Sequence, residues 1–275
     1  MKKEKKPLID LITFNLLLKQ VLRMHAIFLT GTAGSGKSML ASVLKPWYED
    51  KGASTAIVNL DPGAYSLPYT PDVDVRDHID LEEIMESYQL GSNGALIFAS
   101  DMIASKLGEI QEEVDSLNPE YAIFDTVGQM ELFAYRQSGP YFFDNLTCDG
   151  KTTVFLFDST LVSSPTNFIS ITLLASSIQL RLKAPQVPVL SKIDLSSENW
   201  KTIMRWSSNI EKLRSDLSKE QNGTSYLLSS NLLQNIANTG FSYELIPLSA
   251  ITGTGMVELS ASISRILKRG EEVEY

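Results

Sequence analysis

Short apolar runs recur along the chain, and most of them end at a turn rich in glycine or polar residues. Runs of this length, bounded by such turns, are typical of strands that are buried in a parallel sheet. The predicted strands are His25–Thr30, Thr55–Leu60, Tyr121–Asp125, Thr153–Asp158, Val187–Leu190 and Glu244–Leu248.

Segments between these runs place apolar residues at three- and four-residue spacing, which indicates helices. Their alternation with the strands predicts an α/β fold with a mainly parallel sheet and helices on both faces. In such a sheet the functional loops lie at the carboxyl ends of the strands. The predicted helices are Lys37–Asp50, Asp77–Leu90, Ala95–Leu117 and Met256–Lys268.

Two parts of the chain fall outside this alternation. In residues 1–24, four lysines precede an apolar stretch that charged residues interrupt. Because no clean run of about 18 apolar residues remains, neither a signal peptide nor a membrane anchor is predicted. We interpret this extension as a short amphipathic helix packed on the domain; the alternative is that translation starts at Met24. The polar segment 196–240 is predicted to be a helical insertion in one domain that covers 25–275.

The composition is that of a globular protein, since 43% of the 275 residues are hydrophobic and 21% are charged. The net charge of −9 argues against a protein that holds nucleic acid mainly through its phosphates. Cys148 is the only cysteine, which excludes an intramolecular disulfide and fits a reducing, cytoplasmic setting. Neither a nucleic-acid nor a membrane partner is therefore predicted.

A glycine-rich loop follows the first predicted strand and precedes the first predicted helix. From Gly31 to Ser38 it matches G-x-x-x-x-G-K-[ST], the motif of the P-loop NTPases. Glycines let main-chain N–H groups converge on phosphate oxygens, and the helix N-terminus adds partial positive charge. We expect Lys37 to reach the β- and γ-phosphates and the Ser38 hydroxyl to bind Mg²⁺. The predicted nucleotide contacts here are Gly31, Thr32, Ala33, Gly34, Ser35, Gly36, Lys37, Ser38 and Met39.

The run S-K-I-D at 191–194 is close to the N-K-x-D motif of GTPases. The Asp194 carboxylate can accept from N1–H and the exocyclic amine of guanine, a pair of donors that adenine lacks. The stem of Lys192 can cover the base, and the Ala250 N–H can donate to O6. Ser191 replaces the asparagine that usually braces this loop, which bears on affinity more than on specificity. The predicted base contacts are Ser191, Lys192, Asp194, Ser249 and Ala250.

A third motif, D-T-V-G-Q at 125–129, follows another predicted strand and is close to D-x-x-G-Q. Asp125 can hold Mg²⁺ directly or through water. The Gly128 N–H can bond to the γ-phosphate, and the absence of a side chain permits a close approach. Gln129 carries both a donor and an acceptor, so it can orient a water molecule for in-line attack.

The second predicted strand ends in N-L-D-P-G, which brings Asp61 to the same edge of the sheet. Two carboxylates, a lysine and a metal ion balance the charge around a triphosphate. Ser38, Asp61 and Asp125 are therefore the predicted Mg²⁺ ligands. The alternative for Asp61 is an aspartate that only caps the turn before Pro62.

These motifs, in this order from about His25 to the C-terminal helix, resemble those of the GPN-loop GTPase family. The shared segments are G-T-A-G-S-G-K-S, V-N-L-D-P-G, D-T-V-G-Q-M-E-L-F and L-S-A. The family is named after Gly-Pro-Asn in an insertion that follows the second strand. Here the insertion covers about 63–95 and has G-S-N at 91–93. Ser92 and Val127 stand where the family has proline, and both changes remove backbone stiffness while keeping the polar groups.

The resemblance implies a homodimer in which each subunit's loop reaches the partner's active site. Asn93 then lies near the γ-phosphate or the attacking water, in the role that an arginine finger has elsewhere. Because an amide is a neutral donor, slow turnover is expected. Glu131 is a further candidate for positioning water or holding the dimer. The alternative for the segment 91–94 is a helix C-cap and a turn. The predicted catalytic residues are Lys37, Asp61, Asn93, Gln129 and Glu131.

The leading hypothesis is a Mg²⁺-dependent protein that hydrolyses GTP to GDP and serves as a switch for a protein partner. A nucleotide or small-molecule kinase shares the P-loop, but D-x-x-G-Q and S-K-x-D have no function in such an enzyme. The third hypothesis is a nucleotide-binding assembly factor or chaperone with negligible catalysis. It differs from the first hypothesis only in the rate of GTP hydrolysis. The eukaryotic relatives of the family are linked to RNA polymerase assembly, so the resemblance implies a client of that kind.

Overall fold

The computed structural model describes residues 24–220, 223–238 and 244–268. The predicted N-terminal extension therefore lies outside the described residues, except for Met24. Met24 is buried, and its carbonyl accepts a hydrogen bond of 2.9 Å from the Asp149 N–H. The first strand thus follows a residue that is already part of the core.

Parallel strands form a seven-stranded sheet with the order β3-β2-β4-β1-β5-β6-β7. The first strand lies at its centre, which is the usual place of the phosphate loop in this topology. The strands are β1 His25–Gly31, β2 Thr55–Asn59, β3 Val73–Asp74, β4 Tyr121–Asp125, β5 Gly150–Asp158, β6 Gln186–Ser191 and β7 Ile246–Pro247.

The strand register brings the ends of several strands to one edge. Leu29 of β1 lies opposite Asp125 of β4, which lies opposite Asn59 of β2. On the other side of β1, Asp158 is opposite Ser191. Because the strands are parallel, the loops that follow these residues meet at the same edge of the sheet.

Helices cover both faces of this sheet. They are α1 Lys37–Glu49, α2 Leu81–Tyr88, α3 Ser92–Met102, α4 Leu107–Leu117, α5 Met130–Ala134, α6 Ser138–Asn145, α7 Pro165–Leu182, α8 Asn199–Ser208, α9 Ile210–Glu220, α10 Gly223–Asn238 and α11 Met256–Leu267. Within the described ranges, three short 3₁₀ turns cover Val75–Asp77, Ile103–Lys106 and Ile193–Leu195.

The side chains of neighbouring β1 residues pack in two separate hydrophobic cores, one on each face of the sheet. Phe28 stacks on Phe124 of β4, with 4.6 Å between ring centroids, on the face that α3 to α7 cover. Ile27 points to the opposite face, where it packs in one cluster with Leu40 of α1 and Ile263 of α11. Because both faces of the sheet are buried, its strands have continuous apolar runs instead of an alternating pattern.

The predicted α/β architecture with a parallel sheet is confirmed, and several elements differ from their predicted bounds. The single helix predicted over Ala95–Leu117 is wrong, since the 3₁₀ turn Ile103–Lys106 separates α3 from α4. The helix predicted to start at Asp77 begins at Leu81, because the Asp80 side chain caps two N–H groups of its first turn. Strand β3 was not predicted, since two residues are too few to show a periodic pattern.

Residues 196–240, predicted as a helical insertion, contain α8, α9 and α10. Ile203 and Trp206 of α8 and Leu213 of α9 are buried in the core that contains Phe28. The Trp206 Nε1–H donates to Asp216 at 3.0 Å and so links α8 to α9. Across the described ranges, none of the helices is both long and apolar enough to cross a bilayer.

Candidate nucleotide-binding site

The glycine-rich loop leads from β1 directly into α1, as the sequence predicts. Gly31 has a φ of +145°, and a Cβ atom there would lie 2.8 Å from the Leu156 carbonyl oxygen. Gly34 and Gly36 also have positive φ, +74° and +98°. Gly36 is the N-cap of α1 and provides no side-chain cap, so the helix N-terminus is open to an external anion.

Lys37, the first residue of α1, lies inside this loop with only 5% of its surface exposed. Its Nζ donates to three main-chain carbonyls, all at 3.2 Å. They belong to Gly31, Thr32 and Gly128. An ammonium group has three donors, so these bonds saturate it and connect the glycine-rich loop to the D-T-V-G-Q segment. A phosphate oxygen can bind Lys37 only by replacing one of these bonds.

The charge of Lys37 is balanced by carboxylates of the predicted site. Burial lowers the pKa of this ammonium group, and the negative charges near it oppose that effect. The carboxylates responsible are Asp125, Asp61 and Glu131, in decreasing order of effect. The structure therefore brings Asp61 close to Asp125 and Glu131, which lie more than 60 positions further along the chain.

Asp125 ends β4 and is 1% exposed. Burial raises the pKa of its carboxyl group, and the adjacent Ser38 hydroxyl and the hydrogen bond from Tyr69 act in the opposite direction. The Tyr69 hydroxyl donates to Asp125 Oδ2 at 2.7 Å. Asp125 Oδ1 is buried, and none of the described residues forms a hydrogen bond to it.

This unpartnered carboxylate oxygen is the observation that tests the predicted Mg²⁺ site. Mg²⁺ prefers oxygen ligands and is usually held by one or two protein oxygens together with phosphates and water. Asp125 Oδ1 and the neighbouring Ser38 hydroxyl are such oxygens, so these two residues fit the ion. The third predicted ligand, Asp61, has both of its oxygens engaged elsewhere.

Asp61 connects the turn after β2 to the D-T-V-G-Q segment. Its Oδ1 accepts from the Gly63 N–H at 2.9 Å, and its Oδ2 accepts from the Gly128 N–H at 2.7 Å. Asp61 therefore caps its own turn, as the alternative interpretation has it, and also bonds to the D-T-V-G-Q segment, whereas its role as a Mg²⁺ ligand stays a prediction. The Gly128 N–H, predicted to bond to the γ-phosphate, donates here to Asp61.

A network of polar side chains holds the turn that contains Asp61 in place. The side-chain oxygen of Asn59 accepts from the Asp61 N–H at 3.0 Å, and its amide nitrogen donates to Asp74 at 2.9 Å. Arg76 donates to the same Asp74 carboxylate through Nε and Nη2, at 3.0 and 2.6 Å. Arg76 Nη1 also donates to the Ala64 carbonyl at 2.9 Å, which closes the network around the turn.

The remaining predicted catalytic residues lie on exposed helix starts. Gln129 is the exposed N-cap residue of α5, and Glu131 is exposed in its first turn. Asn93 is exposed in the first turn of α3, outside the hydrogen-bonded cluster around Lys37. The helix C-cap alternative for the segment 91–94 is wrong, because α2 ends at Gln89 and Gly91 is the N-cap of α3.

Four of the five predicted base-binding residues, all except Ser249, line one cavity of about 180 Å³ beside the glycine-rich loop. Asp194 is exposed at its rim. Lys192 adopts a left-handed backbone conformation, with φ +58°. Its Nζ donates to Asp158 Oδ2 at 2.7 Å and to the Gly34 carbonyl, so its stem extends towards the loop. The lining residues are Ser35, Gly36, Met39, Leu40, Leu156, Ser191, Lys192, Asp194, Leu195, Leu248, Ala250 and Ile251.

Ser191 braces this cavity in place of the usual asparagine. It is buried, and its hydroxyl lies 2.8 Å from the Ser35 carbonyl and 3.2 Å from the Phe157 carbonyl. Ser249 Oγ accepts from the Thr252 N–H at 3.2 Å and shapes the turn that contains Ala250. The substitution at 191 therefore retains a contact to the phosphate loop.

Two residues of the site were missed by the sequence analysis. Asp158 pairs with Lys192, and its position at the end of a predicted strand was a signal that it faces the functional edge. Burial raises the pKa of Asp158, but the bonds from Lys192 and Thr160 outweigh this and hold the pKa below its ordinary value. Tyr69 lies in a loop without periodicity, so no comparable signal points to it.

A parallel sheet with a glycine-rich loop between β1 and α1, a buried lysine and an acidic strand end defines a P-loop nucleotide-binding protein. The comparisons with known proteins agree. A family model described as "Conserved hypothetical ATP binding protein" matches residues 29–269. GPN-loop GTPase 3 of Kluyveromyces lactis is 30% identical over 82% of this chain and 84% of that protein.

Two further relatives extend this result. GPN-loop GTPase 1 of Dictyostelium discoideum is 30% identical over 86% of this chain, which spans only 60% of that longer relative. The crystal structure of a GTPase in apo form from Pyrococcus abyssi superposes with a TM-score of 0.78 and 30% identity, over 89% of this chain and 97% of that one. The chain belongs to the GPN-loop GTPase family.

Proposed function

We propose that this protein hydrolyses GTP to GDP and phosphate with Mg²⁺ and acts as a dimeric nucleotide switch. The observation that carries the proposal is that Lys192 and Asp194 line one cavity with Gly36 of the phosphate loop. A nucleotide whose purine lies in that cavity can place its triphosphate at the N-terminus of α1. The same edge of the sheet also holds Lys37 and Asp125.

Guanine is favoured over adenine by the chemistry of this cavity, although the description of the matching family model names ATP. The Asp194 carboxylate is exposed at the rim and has acceptor oxygens for N1–H and the 2-amino group of guanine. Adenine has no donor at either position. The bonds from Lys192 to Asp158 and Gly34 hold its stem along the cavity wall.

The residues of the chain can carry out each part of the hydrolysis. Lys37 binds the β- and γ-phosphates, and Ser38 and Asp125 hold Mg²⁺, which supplies charge neutralisation on the phosphates when bound. Gln129 orients a water molecule in line with the γ-phosphorus. A bond forms between the water oxygen and phosphorus, and the bond to the β–γ bridging oxygen breaks with its electron pair leaving on GDP. The proton lost by the water goes to an oxygen of the phosphate that is released.

The contact between Asp61 and Gly128 gives this site a way to respond to the γ-phosphate. The Gly128 N–H bonds to an Asp61 oxygen at 2.7 Å, and the Gly128 carbonyl accepts from Lys37. A γ-phosphate oxygen competes with Asp61 for that N–H and with the carbonyl for Lys37. Binding of GTP, but not of GDP, is therefore expected to release the segment that carries Gln129 from Asp61.

The dimeric arrangement and the role of Asn93 extend this proposal. Asn93 is exposed at the start of α3, so its amide is available to a second copy of the chain. As the family resemblance implies, this amide meets the charge that develops on the transferred phosphoryl group of the partner subunit. We further propose that the switch works in the cytoplasm on a protein client, which by the same resemblance is related to RNA polymerase assembly.

Measurement of nucleotide binding and turnover tests the proposal. We expect tighter binding of GTP than of ATP in calorimetry, and Mg²⁺-dependent release of phosphate to water. The hydrolysis assay is repeated with candidate phosphate acceptors. Transfer of the phosphoryl group to an acceptor would indicate a kinase, and binding without turnover would indicate an assembly factor without catalysis. Preference for ATP would overturn the guanine assignment.

A further inference from the structure

Tyr69 lies outside all the motifs of the chain, yet its hydroxyl is bonded to the acidic residue of the metal site. We infer that Tyr69 is the positioning residue that fixes the Asp125 carboxylate for Mg²⁺. This inference rests on the proposed function, because it concerns the same ion. It adds to that function a residue of the 63–95 insertion.

The contact between the two residues is direct and selective for one oxygen. The Tyr69 hydroxyl donates to Asp125 Oδ2 at 2.7 Å, whereas Asp125 Oδ1 is buried and has no hydrogen-bond partner in the described part of the chain. A phenol has a single O–H donor, so it occupies one lone pair of Oδ2 and leaves Oδ1 available. This is the arrangement in which a hydrogen-bonded partner orients a metal-ligating carboxylate.

The segment that carries Tyr69 is held in place independently of Asp125. Three residues further on, the Asp72 carboxylate accepts from Lys45 Nζ of α1 at 2.7 Å. The same carboxylate accepts from the Ile57 N–H of β2, also at 2.7 Å. The Tyr69 ring itself packs against the core on the α1 face of the sheet. The hydroxyl therefore reaches Asp125 from a backbone fixed to both α1 and β2.

A different role for Tyr69 would be to block the metal site in the absence of nucleotide. The two roles predict opposite changes in Mg²⁺ affinity when the Tyr69 hydroxyl is removed. If Tyr69 orients the carboxylate, removing its hydroxyl weakens Mg²⁺ binding, because Asp125 can then rotate and its Oδ2 loses a buried donor. If Tyr69 blocked the site, removing the hydroxyl would strengthen Mg²⁺ binding. The unpartnered Oδ1 supports the orienting role.

The decisive experiment compares Tyr69→Phe with Tyr65→Phe, a control in the same segment whose side chain is fully exposed. The affinity for a fluorescent GTP analogue is measured in EDTA and across a Mg²⁺ titration, and the Mg²⁺ dependence of GTP hydrolysis is measured in parallel. For Tyr69→Phe we expect wild-type affinity in EDTA and a half-maximal Mg²⁺ concentration raised about tenfold or more. Saturating Mg²⁺ should restore turnover, and Tyr65→Phe should match the wild type.

The outcomes separate the inference from the proposed function. A Mg²⁺ titration of Tyr69→Phe identical to that of the wild type overturns the inference and leaves the GTPase proposal standing. A lower half-maximal Mg²⁺ concentration overturns it in favour of the blocking role. Absence of any Mg²⁺ effect in the wild type overturns both. As a second test, Tyr69→Phe should have no further effect on the Mg²⁺ titration when Asp125 is already changed to Asn.

Discussion

The Ser191 hydroxyl lies 2.8 Å from the main-chain carbonyl of Ser35, so the S-K-I-D loop is tied to the glycine-rich loop. Both residues are buried, and 156 positions separate them in the sequence. The longer asparagine of the usual motif is therefore not required for this brace. A serine makes it because β6 carries the hydroxyl directly beside the glycine-rich loop.

We expect Ser191→Ala to weaken GTP and GDP binding alike by about fivefold, since one buried hydrogen bond of roughly 1 kcal/mol is lost and a carbonyl is left without its donor. The preference for guanine over adenine should not change, because Asp194 is untouched. Calorimetry with GTP, GDP and ATP measures both quantities. Ser116→Ala on α4, an exposed serine at the opposite edge of the sheet, should bind like the wild type. Wild-type affinity in Ser191→Ala would show that the brace is dispensable.

Asp194→Asn tests the guanine assignment itself. Replacing the carboxylate by an amide removes acceptors for N1–H and the 2-amino group, so GTP affinity should fall about 100-fold, or roughly 2.7 kcal/mol. Xanthine has a carbonyl in place of the 2-amino group, and the new amide can donate to it, so xanthosine triphosphate should bind better than GTP. Competition against a fluorescent nucleotide measures the order of affinities.

The matched control for this variant is Glu198→Gln, which removes another exposed carboxylate of the same region. Its GTP affinity should equal that of the wild type. If Asp194→Asn retained the wild-type preference for GTP, the base would have to be recognised elsewhere.

The parts of the site that could be predicted from sequence are those whose position follows from strand order. Asp125 and Ser191 end buried apolar runs, and parallel strands bring such ends to one edge, so their convergence was predictable without coordinates. The glycines at 31 and 36 were predictable for a local reason. Their backbone has positive φ values, which glycine adopts more readily than other residues, so the loop motif alone indicates them.

The partners that sequence reasoning missed depend on tertiary contacts. Tyr69 reaches Asp125 across 56 positions from an irregular loop, and neither periodicity nor a motif signals such a contact. The bond from Gly128 to Asp61 joins two predicted residues, but no sequence pattern indicates that they bond to each other. The turn at Ile103–Lys106 was missed because its apolar spacing continues that of the helices on either side.

Asn93→Ala should lower GTP turnover about tenfold or more, equivalent to about 1.4 kcal/mol in the barrier, with nucleotide affinity nearly unchanged. The physical reason is that Asn93 lies outside the ground-state cluster around Lys37 and acts only on charge that develops during the reaction. Single-turnover hydrolysis and binding of a GTP analogue separate the two quantities. Equal turnover in variant and wild type would reject the catalytic role.

A mixing experiment then decides whether Asn93 acts on the partner subunit. Subunits with Asn93→Ala are combined with subunits with Lys37→Ala, which cannot hold the phosphates. In a mixed dimer, the Lys37→Ala subunit supplies an intact Asn93 to the intact phosphate loop of its partner. Turnover should therefore recover in the mixture beyond the sum of the two separate variants. No recovery would mean that Asn93 acts within its own chain or not at all.

The Asp74 network makes stability depend on pH in a defined direction. Burial raises the pKa of Asp74, but hydrogen bonds from Arg76 and Asn59 outweigh it and hold this pKa below its ordinary value. A carboxyl group of this kind stabilises the fold fully above its unfolded-state pKa of about 3.9, and that stability is lost as the pH falls through the lower folded-state value.

Asp74→Asn should thus cost about 1–2 kcal/mol at neutral pH, because Arg76 loses its charged partner. Urea unfolding should show this difference shrinking only below about pH 4, where the wild type itself becomes protonated. Asp50→Asn, at the exposed end of α1, should cost little at either pH. A cost for Asp74→Asn that did not diminish in acid would mean that the hydrogen-bond geometry, and not the charge, carries the contribution of this residue.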